Sequence, residues 1–380
     1  MSDPLEIVHV GVATVDAKLP VPVVFGDWIM KTREFAIVRI RLASGHEGWS
    51  FTLTRDGAVA AQIHKLLGGI YLGTSVADRE AVFRLAWRRS LASHASGIGL
   101  RALSMLDLAA WDAAAKAADQ SIATMLGGSA LPMPAAAIIG YPPSRMGPDE
   151  VFRQTGELYA AGWRRFKAPV AASDQVTADR LRAARRAAPD AWIGVDGAWI
   201  YEDLDSAVAF ADSVKDLGLG CFEDVFPPGN ARLVRGLRER TDIPIAMGDE
   251  QGGSYYPEAL IALDAVDIVR IDLTCMGGIT GGRQVVQQCV DAGVAFSPHM
   301  FPHVHSQVFS GWGHSDVPIE WGAPGTGVHP MDDSLPQPVI GADGRMAPLR
   351  EAPGFGLLVD LEWIATQPYD DPDGILAIPR

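Results

Sequence analysis

Seven ionisable residues stand at near-regular intervals through the middle and later part of the chain, each just beyond a short apolar run: Lys167, Asp196, Glu223, Glu250, Asp272, His299 and Glu320. Trp192-Ile193-Gly194-Val195 precedes Asp196, Cys221-Phe222 precedes Glu223, and Val294-Ala295-Phe296 precedes His299. The step is 27 positions from Asp196 to Glu223, from Glu223 to Glu250 and from Asp272 to His299. A strand, a helix and two loops fill about that length, so the period predicts one such residue per βα unit. In a barrel of parallel strands all carboxyl ends point to one face, and residues that end successive strands converge there.

The first ~130 residues have a different texture. Segments 7–15 and 35–42 alternate apolar and polar residues as antiparallel strands do, with Val8, Val10 and Val12 on one face. Between them, 19–28 is rich in Pro and Gly and reads as a loop. Helical spacing follows over 58–67, 78–90 and 100–126, the last ended by Gly127-Gly128. The βα alternation begins near Met133, with a first strand at 135–139 and helices at 149–161, 178–188, 204–217, 231–240, 256–263 and 280–292. Three units follow: an α+β region over 1–130, a barrel over 131–345, and a segment over 346–380 that returns to the first unit.

At 380 residues and 48% apolar content there is ample material for a large core. A net charge of −14 argues against nucleic acid or an anionic membrane as partner. Cys221, Cys275 and Cys289 form no CxxC pair, which fits a reducing compartment. No export signal is visible at residues 1–19, and the charge-poor 292–313 stretch is broken by His, Pro, Ser and Gly, so a cytoplasmic protein without a membrane span is expected.

A solvated loop acid is the ordinary state of any one Asp or Glu, so the case rests on the set. Three carboxylates brought together repel by roughly 4 kcal/mol per pair at ~4 Å in an effective dielectric near 20. A cation removes that cost. Asp196, Glu223 and Glu250 offer only oxygen, which suits a hard ion such as magnesium (Mg2+), while Asp224 and Asp249 compete for the same assignments but fall outside the register. His299 alone could be structural; Asp272 one unit earlier can orient its imidazole and support the protonated form. Zinc on His299, His303 and His305 is disfavoured because Pro302 breaks any helix that would align the first two. Gly277–Gly282 lacks the GxGxxG spacing of a phosphate loop and reads as a tight turn.

In this order the residues resemble the mandelate racemase subgroup of the enolase superfamily. Leu106–Asp112 and Leu126–Gly128 resemble its capping-domain helix, Ile245–Glu250 its third ligand, and Pro353–Gly356 its C-terminal return. The resemblance implies an α+β capping domain on a modified (β/α)7β TIM barrel, and a homo-oligomer. It implies magnesium on the substrate carboxylate, proton removal α to it by the His299–Asp272 dyad, an enediolate stabilised by the ion and Lys167, and Glu320 opposite as a protonated hydrogen-bonding electrophile.

The sequence also departs from that pattern. Where the subgroup carries a second Lys two positions after Lys167, this chain has Pro169, which cannot transfer a proton. Two-base racemisation loses its obvious second base, whereas dehydration needs one group that takes the α-proton and then protonates the leaving hydroxyl. A shifted alignment would instead make Lys167 itself a base. Gly197-Ala198 and Trp49-Ser50 replace an Asn and a Gly-Glu common in the subgroup.

The reading is therefore a magnesium-dependent sugar-acid dehydratase acting on a small-molecule carboxylate and giving a 2-keto-3-deoxy acid. An epimerase, racemase or cycloisomerase of the same family is the alternative, and a non-catalytic metal- or ligand-binding homologue is a third. Trp28, His46 and Trp49 on the capping loops are the candidate substrate-binding residues, because aromatic groups on a closing loop exclude water and shape a pocket.

Overall fold

The computed structural model describes residues 3–25, 28–92, 96–248, 250, 253–322, 326–348, 352–356 and 358–376, without the side chains of positions 25 and 28. Asp249, the competitor named above, lies outside the described residues, as does the side chain of Trp28.

Two long strands open the chain, β1 (Ile7–Phe25) and β2 (Trp28–Leu42), paired antiparallel and followed by β3 (Glu47–Leu53) on the far edge of β2. The expected loop over 19–28 is instead mostly strand: Val23 pairs with Met30 and Val24 with Ile29. A register shift between Lys18 and Val23 absorbs Pro20 and Pro22. Neither proline can donate to a ladder, and a bulge is where a sheet tolerates that. Val23, between the second proline and the hairpin tip, is fully buried, so packing overrides the breakers.

The helix Ile98–Ala117 packs across β2 and β3. Its approach is set by Gly48 on β3, where a Cβ would stand 1.9 Å from the Ala109 carbonyl oxygen. The expected helix over 100–126 is two: the chain breaks at Asp119, which takes a positive φ, and Ser121 caps a short turn Ile122–Met125 by accepting from the Thr124 N–H. Gly354 stitches this break, donating to the Gln120 carbonyl and accepting from the Ile122 N–H.

Eight parallel strands then form a nearly closed barrel: β4 (Met133–Ile138), β5 (Arg165–Pro169), β6 (Trp192–Asp196), β7 (Cys221–Glu223), β8 (Ile245–Met247), β9 (Ile268–Ile271), β10 (Ala295–Pro298) and β11 (Ile319–Gly322), in ring order from β10 down to β4 and then β11. A helix follows each of β4 to β10, which is the (β/α)7β arrangement. The helix after β10, Pro302–Gly311, was not legible in the sequence; Pro302 occupies its first turn, where a missing N–H costs nothing. Gly277–Gly282 is a helix start and not merely a turn: Gly277 is left-handed and Gly278–Ala292 is helical. Past the barrel, β12 (Arg345–Met346) pairs antiparallel with β4, and β13 (Tyr369–Asp370) pairs with Val15 and Thr14 of β1. Among the described residues no helix is long and apolar enough to cross a membrane.

Candidate active site

Strand register explains the convergence. Pro169, Asp196 and Glu223 are successive Cα partners across β5, β6 and β7, and Ile271 of β9 pairs with Pro298 of β10, so Asp272 and His299 stand side by side one residue further on. The His299 N–H donates to the Ile271 carbonyl at 2.9 Å, which fixes the imidazole beside the carboxylate. His299 Nδ1 lies 3.1 Å from Asp272 Oδ2. Asp272 Oδ1 accepts from both the N–H (2.8 Å) and the hydroxyl (2.7 Å) of Thr274. Burial raises the Asp272 pKa, but the hydrogen bond from His299 and the electrostatic influence of the neighbouring imidazoles outweigh it and hold the carboxylate below its ordinary value. With Nδ1 engaged, Nε2 is the nitrogen left to exchange a proton, and it sits 3.8 Å from Glu250 Oε1. His305 is not a ligand: its Nδ1 pairs with the Met300 carbonyl and its Nε2 accepts from the Leu273 N–H.

Lys167 and Glu320 form the floor with a residue the sequence reading missed, Arg270. Lys167 Nζ donates to Glu223 Oε1 at 2.6 Å, touches Glu320 Oε1, and lies 3.7 Å from Asp196 Oδ2. Burial works against the charge on Lys167, but Glu223 and Glu320 more than offset it and hold the ammonium well above its usual pKa. In this arrangement Lys167 is held as a positive charge between two carboxylates. Arg270 bridges Glu223 (3.1 Å) and Glu320 (3.0 Å) and donates to Ser297 Oγ at 2.7 Å.

Glu320, expected as a protonated electrophile, lies among donors. Among the described residues its partners all donate: Lys167, Arg270 and the Met300 N–H, the last at 3.0 Å. Burial raises its pKa, yet Lys167 and Arg270 carry it far below the ordinary carboxylate range. Arg270 was detectable: two positions before Asp272 in a strand, it shares a face with that residue, and a charge inside Ile268–Ile271 needs a counter-charge.

The three expected ligands are treated differently by their surroundings. Asp196 ends β6, partly open to the cavity, and accepts from the Ala198 N–H at 2.9 Å. Glu223 is enclosed by Lys167 and Arg270. Glu250 turns into two arginines, Arg101 at 2.8 Å and Arg55, which carry it well below its usual pKa against the opposing effect of burial. Among the described residues no three His, Cys, Asp or Glu side chains converge as a metal cage. Asp224, set aside in the sequence reading, lines the cavity beside Asp196 with Oδ1 buried and unpartnered, and burial together with Glu223 and Asp196 pushes its pKa well up.

The donor chemistry fits a hard divalent ion. It is all oxygen, it crowds several carboxylates together, and among the described residues it holds an orphaned acceptor, Asp224 Oδ1, that such an ion would satisfy. Lysine and arginine groups balance those charges in the arrangement seen.

These groups face a cavity of about 330 Å3 between the strand ends and the first sheet, lined by Lys167, Pro169, Asp196, Asp224 and His299 on one side and by Met30, Arg33, Leu53 and Arg55 on the other. His46 and Trp49 are not brought to it. His46 is exposed in the β2–β3 turn, its ring bonded to Ser44, because the turn points away from the barrel. Trp49 is half-buried on β3, stacked under Arg39 with its N–H donating to Asp112. A second cavity of about 220 Å3 lies deeper in the barrel, below Lys167, Glu223, Arg270 and Glu320.

Residues 150–363 match the family model described as enolase C-terminal domain-like, and residues 7–127 match that of the mandelate racemase / muconate lactonizing enzyme N-terminal domain. The chain belongs to the enolase superfamily, in its mandelate racemase / muconate lactonizing subgroup. Among curated members, D-galactarolactone cycloisomerase of Agrobacterium fabrum is 24% identical over 306 residues, covering 78% of this chain and 79% of that protein. Arabinonate dehydratase of Saccharolobus solfataricus is 24% identical over 270 residues, covering 70% and 72%. The crystal structure of L-talarate dehydratase from Polaromonas sp. JS666, complexed with magnesium and L-glucarate, superposes with a TM-score of 0.82 at 20% identity, covering 96% of this chain and 98% of that one. The superfamily fold, a barrel under an α+β cap, is thereby established for this chain.

Proposed function

We propose that this enolase-superfamily member is a magnesium-dependent sugar-acid dehydratase, a lyase that yields a 2-keto-3-deoxy acid. The observation that carries the reading is an oriented His299–Asp272 dyad facing a cavity whose β5 wall holds Lys167 and then Pro169, with no second proton-transfer side chain there. Asp196, Glu223 and Glu250, with Asp224 adjacent, would hold magnesium, which when bound supplies positive charge to the substrate carboxylate.

His299 Nε2 takes the proton α to the carboxylate, and Asp272 steadies the imidazolium that forms. The electron pair left on carbon spreads into the carboxyl group, where the fixed charge of Lys167 favours it. That pair then forms the carbon–carbon double bond as the β C–O bond breaks, and His299 returns its proton to the departing hydroxyl as water. The enol so produced becomes the keto acid. One group serves both proton steps, which is why Pro169 is compatible with elimination and poorly compatible with two-sided racemisation.

Cycloisomerisation is the second reading, favoured by the galactarolactone enzyme among the relatives. A sugar-acid library with magnesium, assayed for keto product and for solvent deuterium incorporation, separates them. A 2-keto-3-deoxy product supports dehydration; deuterium exchange with an isomeric product and no keto acid overturns it in favour of the isomerase. His299→Asn should abolish exchange; exchange at the parental rate in that variant would remove the dyad from the mechanism.

A further inference from the structure

Among the described residues, one guanidinium of the active-site cavity, that of Arg33, has no counter-charge within ion-pairing distance. Arg33 lies on β2 and lines the cavity from the cap side. Its Nη2 donates to the Tyr141 hydroxyl, and its guanidinium carbon stands 5.7 Å from the centre of that ring. Its Nε is buried and has no acceptor. Among the described residues no carboxylate lies within ion-pairing distance of Arg33, while the neighbouring cavity arginine, Arg55, is paired with Glu250. The other charged groups felt by Arg33 are Arg55, which adds to the positive charge, and the already engaged Glu250.

An arginine stays protonated under such conditions, and a half-desolvated cation without an anion is unfavourable unless something brings one. Arg33 comes from the cap strand β2, whereas Lys167 and Asp196, which would receive the reacting carboxylate, line the same cavity from barrel strands β5 and β6. Its anion therefore belongs to the other end of whatever fills the space.

We infer that Arg33, assisted by the Tyr141 hydroxyl, receives a second carboxylate of the substrate, so that the substrate is a dicarboxylic sugar acid carrying an acid group at each end. This rests on the dehydratase reading and narrows its substrate class. One guanidinium and one phenol match a single negative charge. A phosphate, with ~1.5–2 charges and three strong acceptor oxygens, would ask for more donors than this wall offers. A planar fork of N–H donors also suits a carboxylate geometrically.

The test uses the magnesium-loaded enzyme and stereochemically matched pairs of six-carbon acids, one with carboxylates at both ends and one with a terminal CH2OH. The wild type should prefer the diacid by roughly 30-fold or more in kcat/KM, expressed mainly in KM, because a site built for a polar group rejects the analogue lacking it. Arg33→Gln should bring that ratio to within about threefold of one, and Arg33→Lys should restore part of it. Tyr141→Phe, which removes a single oxygen, should lower the ratio several-fold and serves if the Arg33 variants fail to fold. In parallel, thermal-shift binding reads the site without turnover: the diacid should raise the melting temperature of wild type more than the monoacid does, and this difference should vanish in Arg33→Gln.

Equal use of both acids by wild type overturns the inference and leaves the dehydratase reading intact. A better response to a phosphorylated monoacid overturns the carboxylate assignment. Selective stabilisation by the diacid with neither turnover nor proton exchange supports the Arg33 site and sinks the dehydratase reading instead.

Discussion

Replacing Arg270 with Met tests the charge arrangement under the active site. Arg270 holds Glu223 at 3.1 Å and Glu320 at 3.0 Å, with all three side chains almost fully buried. At that separation and an effective dielectric near 20, each contact is worth roughly 5 kcal/mol of Coulomb energy, against a desolvation cost of several kcal/mol for the guanidinium. Met fills similar space but leaves two buried carboxylates to share Lys167. Breaking such a pair from one side typically costs about 3–5 kcal/mol, and that is the loss expected for Arg270→Met in urea unfolding followed by tryptophan fluorescence, with chelator present so that no divalent ion takes over. Adding Glu320→Gln removes the stranded charge, so the double variant should be more stable than the sum of the singles by about 1 kcal/mol or more. A loss under ~1 kcal/mol for Arg270→Met, or strict additivity in the double variant, would refute the reasoning.

Other outcomes follow from single contacts. Burial holds His303 down to about 4, against 6.5 for the ordinary group, so the unfolded chain binds the extra proton in that window. Its neutral burial contributes stability that is complete above pH ~6.5 and is lost as pH falls towards ~4, by roughly 3 kcal/mol; in His303→Leu a urea titration across that range should be flatter, and an unchanged slope would rule the group out. Gly278→Ala should destabilise by about 2 kcal/mol or more, because φ is +64° and the new Cβ would meet Asp107 Oδ2 at 2.4 Å; denaturant midpoints that match wild type would contradict it. Thr274→Val removes a hydroxyl from Asp272 and should cost about 1.5–3 kcal/mol with slower α-proton exchange, since a bond to a charged acceptor is lost; exchange at the wild-type rate would show that Thr274 does not position the dyad.

The barrel was legible because its period is a consequence of chain geometry: each βα unit returns the backbone to the same face, so Asp196, Glu223, Asp272 and His299 are marked by spacing alone. The adjacency of Asp272 and His299 follows from strand register, and the structure shows it directly. What was not legible depends on partners distant in sequence. The surroundings of Glu320 are set by Lys167 and Arg270, 153 and 50 positions away. The extension of β1 through Pro20 and Pro22 is decided by packing of Val23, which local propensity cannot report. His46 and Trp49 looked like cavity residues because they are aromatic in a turn, but only the tertiary path shows that this turn faces away. The cavity is lined from the far end of β3 at Leu53, from Arg55 just past it, and from Met30 and Arg33 on β2.

The pairing of β13 with β1 sets an order of events during synthesis. Thr14 and Val15 find their edge partners only at Asp370 and Tyr369. At ~5–20 residues per second, the ribosome needs roughly 20–70 s to make the intervening chain. Through that interval the nascent β1 offers an open row of N–H and C=O groups, the kind of edge on which stray chains pair. The whole barrel is made before the first sheet can be sealed, so a translational pause inside the barrel lengthens the time for which that edge is unprotected.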